Sequence, residues 1–259
     1  MSIHGQHISC IYVDNTTYIY YILIMDIVKF TLPRRILDKL SGKINDFYLA
    51  GGTALSMIYF QHRESYDVDL FTKNFSQYRV KQIVDCLKKD GSISIEETGF
   101  QLENNMAKML TYDITFEDGS LCKLDFVEDF FDLLLPLQEF NGIKILSRED
   151  IYFRKISAVA GYIVKQNSIG RDTMVGGRQE AKDVYDLYCL SSISKPLSAF
   201  LKEYGNGTMI EAIIRWQQTY DRLQMKTGLL DLITPRDIDT REVARHFDNE
   251  VDQIIRGII

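Results

Sequence analysis

The chain has few cysteines, histidines, prolines or tryptophans: its 259 positions hold four cysteines, four histidines, four prolines and one tryptophan. Cys10, Cys86, Cys122 and Cys189 are widely scattered and no CxxC pair occurs. That spacing argues against a disulfide framework and a zinc knuckle, and reduced, buried thiols in a cytoplasmic protein are the expectation. With His4, His7, His62 and His246 the only imidazoles, a Ser-His-Asp triad has few candidates for its base. Positive charge is not in excess. A net charge of −6 and a pI near 5.3 exclude a generally basic nucleic-acid coat, although a local basic groove depends on where charges sit rather than on their sum. The most apolar early stretch, Tyr18 to Val28, is too short to span a bilayer and carries Asp26. No basic segment precedes it and no small-residue cleavage site follows, so neither a membrane partner nor a secretory signal is expected. GxxxxGK[ST], the Rossmann glycine fingerprint, GxSxG and HExxH are all missing, and no internal repeat is visible. What remains, 46% hydrophobic and 25% charged residues, is the composition of an ordinary globular protein.

Two regions of different character follow one another. Residues 1–24 read as a loosely patterned extension, and Met25 opens a more orderly stretch that offers an alternative start. Pro33 followed by RRILDKLSGKI reads as a helix with proline in its first turn. Asp46 to Ala50 reads as a short buried strand ending at Gly51-Gly52, and Thr53 as the N-cap of a helix over ALSMIYFQ. From Tyr66 to Phe71 polar and apolar residues alternate, the pattern of a strand with Val68 and Leu70 on one face. A helix over 77–89, stopped by Asp90-Gly91, precedes three strand signals, SISIEET, KMLTYDITF and LCKLDFVED, the last two joined by the turn Glu117–Ser120. This order predicts an α+β fold with a mixed sheet over residues 1–147. From Arg148 helical periodicity takes over, in EDIYFRKISAVAGYIVK, QEAKDVYDLYCLSS, PLSAFLKEY, MIEAIIRWQQTYDRL and TREVARHFDNEVDQIIRGI. NSIGRDTMVGGR, between the first two, reads as a mobile loop. Residues 148–259 are therefore expected to form a helical bundle domain.

The chemistry concentrates in one constellation. The pair Asp67-Val68-Asp69 is uninformative as a motif, since Asp237-Ile238-Asp239 repeats it in a loop-like setting after Thr234-Pro235-Arg236. On a strand, however, residues i and i+2 share a face about 6–7 Å apart. Two carboxylates so placed repel one another unless a cation meets them, and Mg²⁺, or Mn²⁺ in its place, takes such oxygen ligands together with phosphate. Gly51-Gly52, between a strand and a helix, lets the backbone approach a ligand and presents free N–H groups to an anion, with the Thr53 hydroxyl beside them; an ordinary tight turn would use the same glycines. Asp125, in Lys123-Leu124-Asp125-Phe126-Val127, is the candidate third carboxylate for a two-metal displacement, or else a solvated edge residue. Together these parts suit a Mg²⁺-nucleotide.

The stretch FYLAGGTALSMIYFQHRESYDVDLF resembles the signature of the AbiEii/AbiGii nucleotidyltransferase toxin family, within the DNA polymerase β-like superfamily. The shared pattern runs Gly51-Gly52-Thr53-Ala54-Leu55, then His62-Arg63-Glu64-Ser65-Tyr66-Asp67-Val68-Asp69-Leu70-Phe71. Downstream, Lys155 and Lys182-Asp183-Val184-Tyr185-Asp186-Leu187 match a helical lysine and a [KR]-D-x-x-D-L helix. The stretch from Gly52 to Asp67 is slightly longer than the superfamily's usual spacing. The resemblance implies a polymerase β-like domain at the N-terminus that moves NMP from an NTP to a hydroxyl and releases pyrophosphate. It places Gly51, Gly52, Thr53 and Ser65 at the nucleotide phosphates, Asp67 and Asp69 at the metal, Lys155 against the triphosphate and Asp183 completing the site from the second domain; Arg63 is a further candidate at the nucleotide, and Asp125 remains the candidate third carboxylate at the metal. A bacterial source, toxin-like growth inhibition, an RNA acceptor such as a tRNA 3′ end and a cognate antitoxin go with it. Taken alone, Lys155 with Arg154 would solubilise a helix face, and Asp183 and Asp186, spaced i, i+3, would pair at the surface with Lys182 or Arg178. Arg34, Arg35, Lys39 and Lys43, and again Arg215, Arg222 and Lys226, share helix edges that suit either a solvated face or an RNA groove. Two other functions stay open: a catalytically inactive module that binds nucleotide or a partner, and a small-molecule transferase of the antibiotic-modifying kind.

Overall fold

The structure, a computed structural model, describes residues 31–89, 91–103, 106–161, 163–178 and 180–258. The readings made on Tyr18–Val28, Met25, Cys10, His4, His7 and Asp90 lie outside the described residues. Helix α1 (Thr31–Leu40) carries Pro33 in its first turn and puts Ile36, Leu37 and Leu40 in the core. After the two-residue strand β1 (Tyr48–Leu49), helix α2 begins directly at Gly51 (Gly51–Ala54) and continues as a π-helical stretch, Leu55–Phe60. Thr53 is thus inside the helix and not its N-cap: Ala50 holds that position, with extended backbone and no side-chain cap. Gly51 at φ 68° lets the chain turn so early.

Strand β2 (Asp67–Thr72) alternates as expected, with Val68 and Leu70 buried. Helix α3 (Gln77–Lys88), capped by Ser76, and strands β3 (Ile93–Gln101), β4 (Met109–Phe116), β5 (Leu121–Glu128), β6 (Gln138–Phe140) and β7 (Ile143–Ile145) follow. They form one seven-stranded mixed sheet in the order β3-β4-β5-β2-β1-β7-β6. The β2–β5 and β1–β7 pairs are parallel and the other pairs antiparallel.

Helix α4 (Arg148–Ala160) starts where Ser147 accepts the Asp150 N–H, 3.0 Å. The helix does not run on to Lys165, and the segment expected as a loop holds a strand over part of its length. Gly161, at φ 104°, ends α4, and β8 (Ile163–Gln166) pairs with β9 (Asp172–Val175) as a hairpin. A Cβ on Gly161 would stand 2.5 Å from the Val175 carbonyl, so the hairpin base is pinned against the helix end. The remaining helices are α5 (Ala181–Cys189) with a π-helical stretch Leu190–Ser194, α6 (Leu197–Tyr204), α7 (Gly207–Thr219), α8 (Arg222–Leu230) and α9 (Thr240–Ile258). MIEAIIRWQQTYDRL is two helices, because Asp221 accepts the Leu223 and Gln224 N–H groups at 2.9 Å and starts α8 afresh. Asp239 likewise caps α9 through the Arg241 and Glu242 N–H groups, which gives the second DxD a structural role. A continuous apolar cluster joins the sheet residues Leu70 and Phe126 to Tyr152 and Ile156 of α4, Leu187 of α5 and Phe247 of α9. Most of the basic helix edges are already engaged: Arg35 lies 3.9 Å over the Phe116 ring, Arg215 donates to the Met174 carbonyl, and Arg222 meets Asp248.

Candidate active site

The parallel register of β2 and β5 sets the floor of a cleft of about 520 Å³. It pairs Asp67 with Lys123, Asp69 with Asp125 and Phe71 with Val127. The alternation that buries Val68 and Leu70 below the sheet turns Asp67, Asp69 and Phe71 to the other side, into the cleft. β4 extends the same rows, with Asp113 beside Lys123, Thr111 beside Asp125 and Met109 beside Val127. The three acidic residues singled out from the sequence are therefore brought together at the centre of the sheet. Asp125 is buried; it accepts from Thr111 Oγ1 and Lys123 Nζ, each at 2.7 Å. Asp67 is met by Lys182 Nζ at 3.4 Å. Burial, reinforced by the charges of Asp125 and Asp67, pushes the Asp69 carboxyl up to about 6, against the pull of Lys155 and Lys182.

The two glycines are needed for contact. A Cβ on Gly51 would fall 2.1 Å from Asp69 Oδ2, and one on Gly52 would fall 2.1 Å from Arg63 Nη2. Both line the cleft, as do Arg63 and Ser65. Thr53 sits differently. Its side chain is fully buried, shares a 2.7 Å hydrogen bond with Ser65 Oγ and donates to the Asp67 carbonyl, so it ties α2 to the start of β2 and does not line the cleft.

Above the carboxylates lies a buried ionic network. Lys155 Nζ bridges Asp183 Oδ1 and Asp186 Oδ2 at 2.6 Å each. Arg63 grips Asp186 with two bonds, Nε at 2.7 Å and Nη2 at 2.8 Å, while His62 Nε2 lies 2.7 Å from the same carboxylate. Arg178 Nε donates to Asp183 Oδ2 at 2.6 Å. Burial alone would raise both acids, but Lys155 with Arg63 holds Asp186 well below the usual carboxylate range, and Lys155 with Arg178 lowers Asp183. For Lys155 burial works against the charged form, and Asp186 and Asp183 overcome it, so its pKa is raised. Asp183 and Asp186 are fully buried rather than members of surface pairs, although Arg178 is one of the partners that spacing indicated. The sequence reading gave no site role to His62, Lys123, Lys182 or Asp186. Only the adjacency of His62 to Arg63 and the i, i+3 spacing of the two aspartates hinted at the network.

The donor set suits a hard divalent cation. Three carboxylates face one cleft, and burial together with the charges of Asp125 and Asp67 pushes Asp69 up to about 6, so added positive charge relieves a strain the chain itself creates. Among the described residues no three His, Cys, Asp or Glu side chains are gathered tightly enough to hold a metal ion as they stand. Asp125 and Asp67 are turned toward Lys123 and Lys182 instead.

The model of a known family, described as nucleotidyl transferase AbiEii toxin of a type IV toxin–antitoxin system, matches residues 35–258. An uncharacterized protein of Aquifex aeolicus is 32% identical over 154 residues, which are 58% of this chain and 59% of that protein; the match thus spans about three fifths of the curated relative. Among solved structures, JHP933 from Helicobacter pylori superposes with a TM-score of 0.56 at 16% identity, over 90% of this chain and 93% of the other. A second H. pylori protein, a candidate nucleotidyltransferase, gives 0.53 at 16% identity over 95% and 97%. At such identities the structural likeness is one of fold.

Proposed function

The chain belongs to the AbiEii nucleotidyl transferase toxin family, and from that premise we propose that it transfers a nucleoside monophosphate from an NTP to an acceptor hydroxyl with release of pyrophosphate. The observation that carries the reading is the in-register pairing of Asp69 with Asp125 on parallel strands, with Gly51 packed against Asp69. Asp67, Asp69 and Asp125 would hold Mg²⁺, or Mn²⁺. A cation bound there neutralises the triphosphate and lowers the pKa of a coordinated hydroxyl. The other parts belong to the chain. The Gly51 and Gly52 backbone and the Ser65 hydroxyl line the side of the cleft where the phosphates would lie, and Arg63 stands behind them. Lys182, 3.4 Å from Asp67, and Lys123, 2.7 Å from Asp125, are lysines that can turn toward phosphate once a metal takes over their carboxylates. Asp125, next to the acceptor, would take the hydroxyl proton. Phosphoryl transfer asks mainly for positioning and charge stabilisation, and this cleft offers both.

The family's description supports a toxin with a cognate antitoxin; we further propose that it acts in a bacterial cytoplasm on an RNA acceptor, such as a tRNA 3′ end. Among the described residues no helix is long and apolar enough to cross a membrane. The test is transfer of label from each α-labelled NTP to total bacterial RNA and protein, with Asp69→Asn alongside. Label on RNA that disappears in a folded Asp69→Asn protein is the expected result. Equal transfer by the variant overturns the assignment.

A further inference from the structure

We propose that Phe130 and Phe131, with Phe71, Val127 and Met109, form the shelf on which the terminal base of the RNA acceptor lies; this rests on the transfer reading above. The cleft floor changes character in one step along the strands. The row Asp69, Asp125 and Thr111 is polar, whereas the next row on the same face, Phe71, Val127 and Met109, is apolar. The two rows stand about 7 Å apart, roughly the reach from a ribose hydroxyl to its base. At the end of that apolar row β5 gives way to Phe130, 53% exposed, its ring 4.2 Å from that of Phe131 and tilted by 37°.

An exposed phenylalanine could be incidental, but this one stands on a rigid support. Asp129, buried beneath it, accepts from Tyr48 Oη and Arg154 Nη2 at 2.5 Å each and from the Phe131 N–H at 3.2 Å. Arg154 also lies 5.6 Å from the Phe131 ring. Flat apolar rings at the edge of an anion-binding cleft suit an unpaired nucleobase, which stacks on aromatic side chains whatever its sequence. Position decides which base. Gly51 and Gly52 follow β1 and mark the phosphate side of β2, while Val127 and Met109 lie on β5 and β4, across β2 from them and beside Asp125. The shelf thus adjoins the carboxylate assigned to the acceptor and not the glycines assigned to the triphosphate.

The experiment is an equilibrium titration of the whole protein with a short single-stranded RNA carrying 2-aminopurine as its 3′-terminal base, without NTP. Stacking quenches the fluorophore. The wild type should quench it, Phe130→Ala should bind about tenfold more weakly, the size of one lost base–aromatic stack, and Phe130→Trp should retain binding. In transfer assays Phe130→Ala should raise KM for RNA and leave KM for the NTP unchanged. Unaltered quenching by Phe130→Ala, or a rise confined to the NTP KM, overturns the shelf. Failure of the wild type to transfer label overturns the transfer reading separately, because the titration involves no turnover.

Discussion

Asp69 is where the site's chemistry and its cost to the fold meet. Its carboxyl titrates near 6 in the folded chain against 3.8 ordinarily, through burial first and then through Asp125 and Asp67. Below 3.8 the group is neutral in both states and costs nothing. Between 3.8 and 6 the folded state keeps a proton that the unfolded state has lost, so this residue's contribution to stability falls as pH rises. Above 6 the cost is fully present, on the order of 3 kcal/mol for a shift of that size. Asp69→Asn carries no such penalty. In metal-free buffer the variant should therefore gain stability relative to wild type between pH 4 and pH 7.5, as read by urea unfolding at each pH. A difference that stays flat across that window would remove the electrostatic strain from the account. The pair Asp67-Val68-Asp69 could be seen in the sequence because strand alternation is local, and Gly51-Gly52 because glycine punctuates turns. What the glycines accommodate, Asp69 Oδ2 for one and Arg63 Nη2 for the other, could not be, since those contacts depend on how α2 and β2 pack.

Among the elements, α5 holds two halves of the chain in contact through charge. Its residues Asp183 and Asp186 receive Lys155 from α4, Arg63 from the segment before β2 and Arg178 from the segment before α5. Removing one partner from such a buried cluster leaves the others charged and unpaired, so Asp186→Ala should cost about 3–5 kcal/mol. Arg222→Ala, which breaks an exposed pair with Asp248, should cost less than about 1 kcal/mol. Chemical denaturation of the two variants makes the comparison, and similar losses in both would mean that the network adds nothing beyond a surface bridge. Elements with a strong local period, β2, β4, β5 and α9, could be read from the sequence nearly to their ends, whereas β3 runs on to Gln101 past a bulge between Glu97 and Gly99 that breaks its alternation. The parallel register that sets Asp69 beside Asp125 could not, because the strands that form it lie more than fifty residues apart and periodicity says nothing about pairing. The β8–β9 hairpin was hidden by its polar, glycine-containing turn. Its signal lay in the β-branched Ile163, Val164, Thr173 and Val175 on either side of that turn.

At the scale of the whole molecule, the change in sequence character at residue 147 raises the question whether the halves unfold separately. Two features argue for one cooperative unit. Apolar packing is continuous from Leu70 and Phe126 in the sheet to Tyr152, Leu187 and Phe247 in the helices, and the buried ionic network ties His62 and Arg63 to α4 and α5. Trp216, the single tryptophan, packs on Tyr220 and Phe247 among the later helices, so its fluorescence follows the C-terminal half, whereas far-UV circular dichroism follows helices and sheet together. At neutral pH the two urea transitions should coincide, as two-state unfolding requires. The lowered carboxylates Asp183 and Asp186 contribute stability that is present above the ordinary carboxylate pKa and lost as pH falls through their depressed values. Acid, like Asp186→Ala, should therefore lower the common midpoint while the continuous apolar core keeps the transitions together. A Trp216 transition that separates from the dichroism at neutral pH would show that the halves are independent. The contacts across residue 147 would then amount to docking of two domains rather than parts of one core.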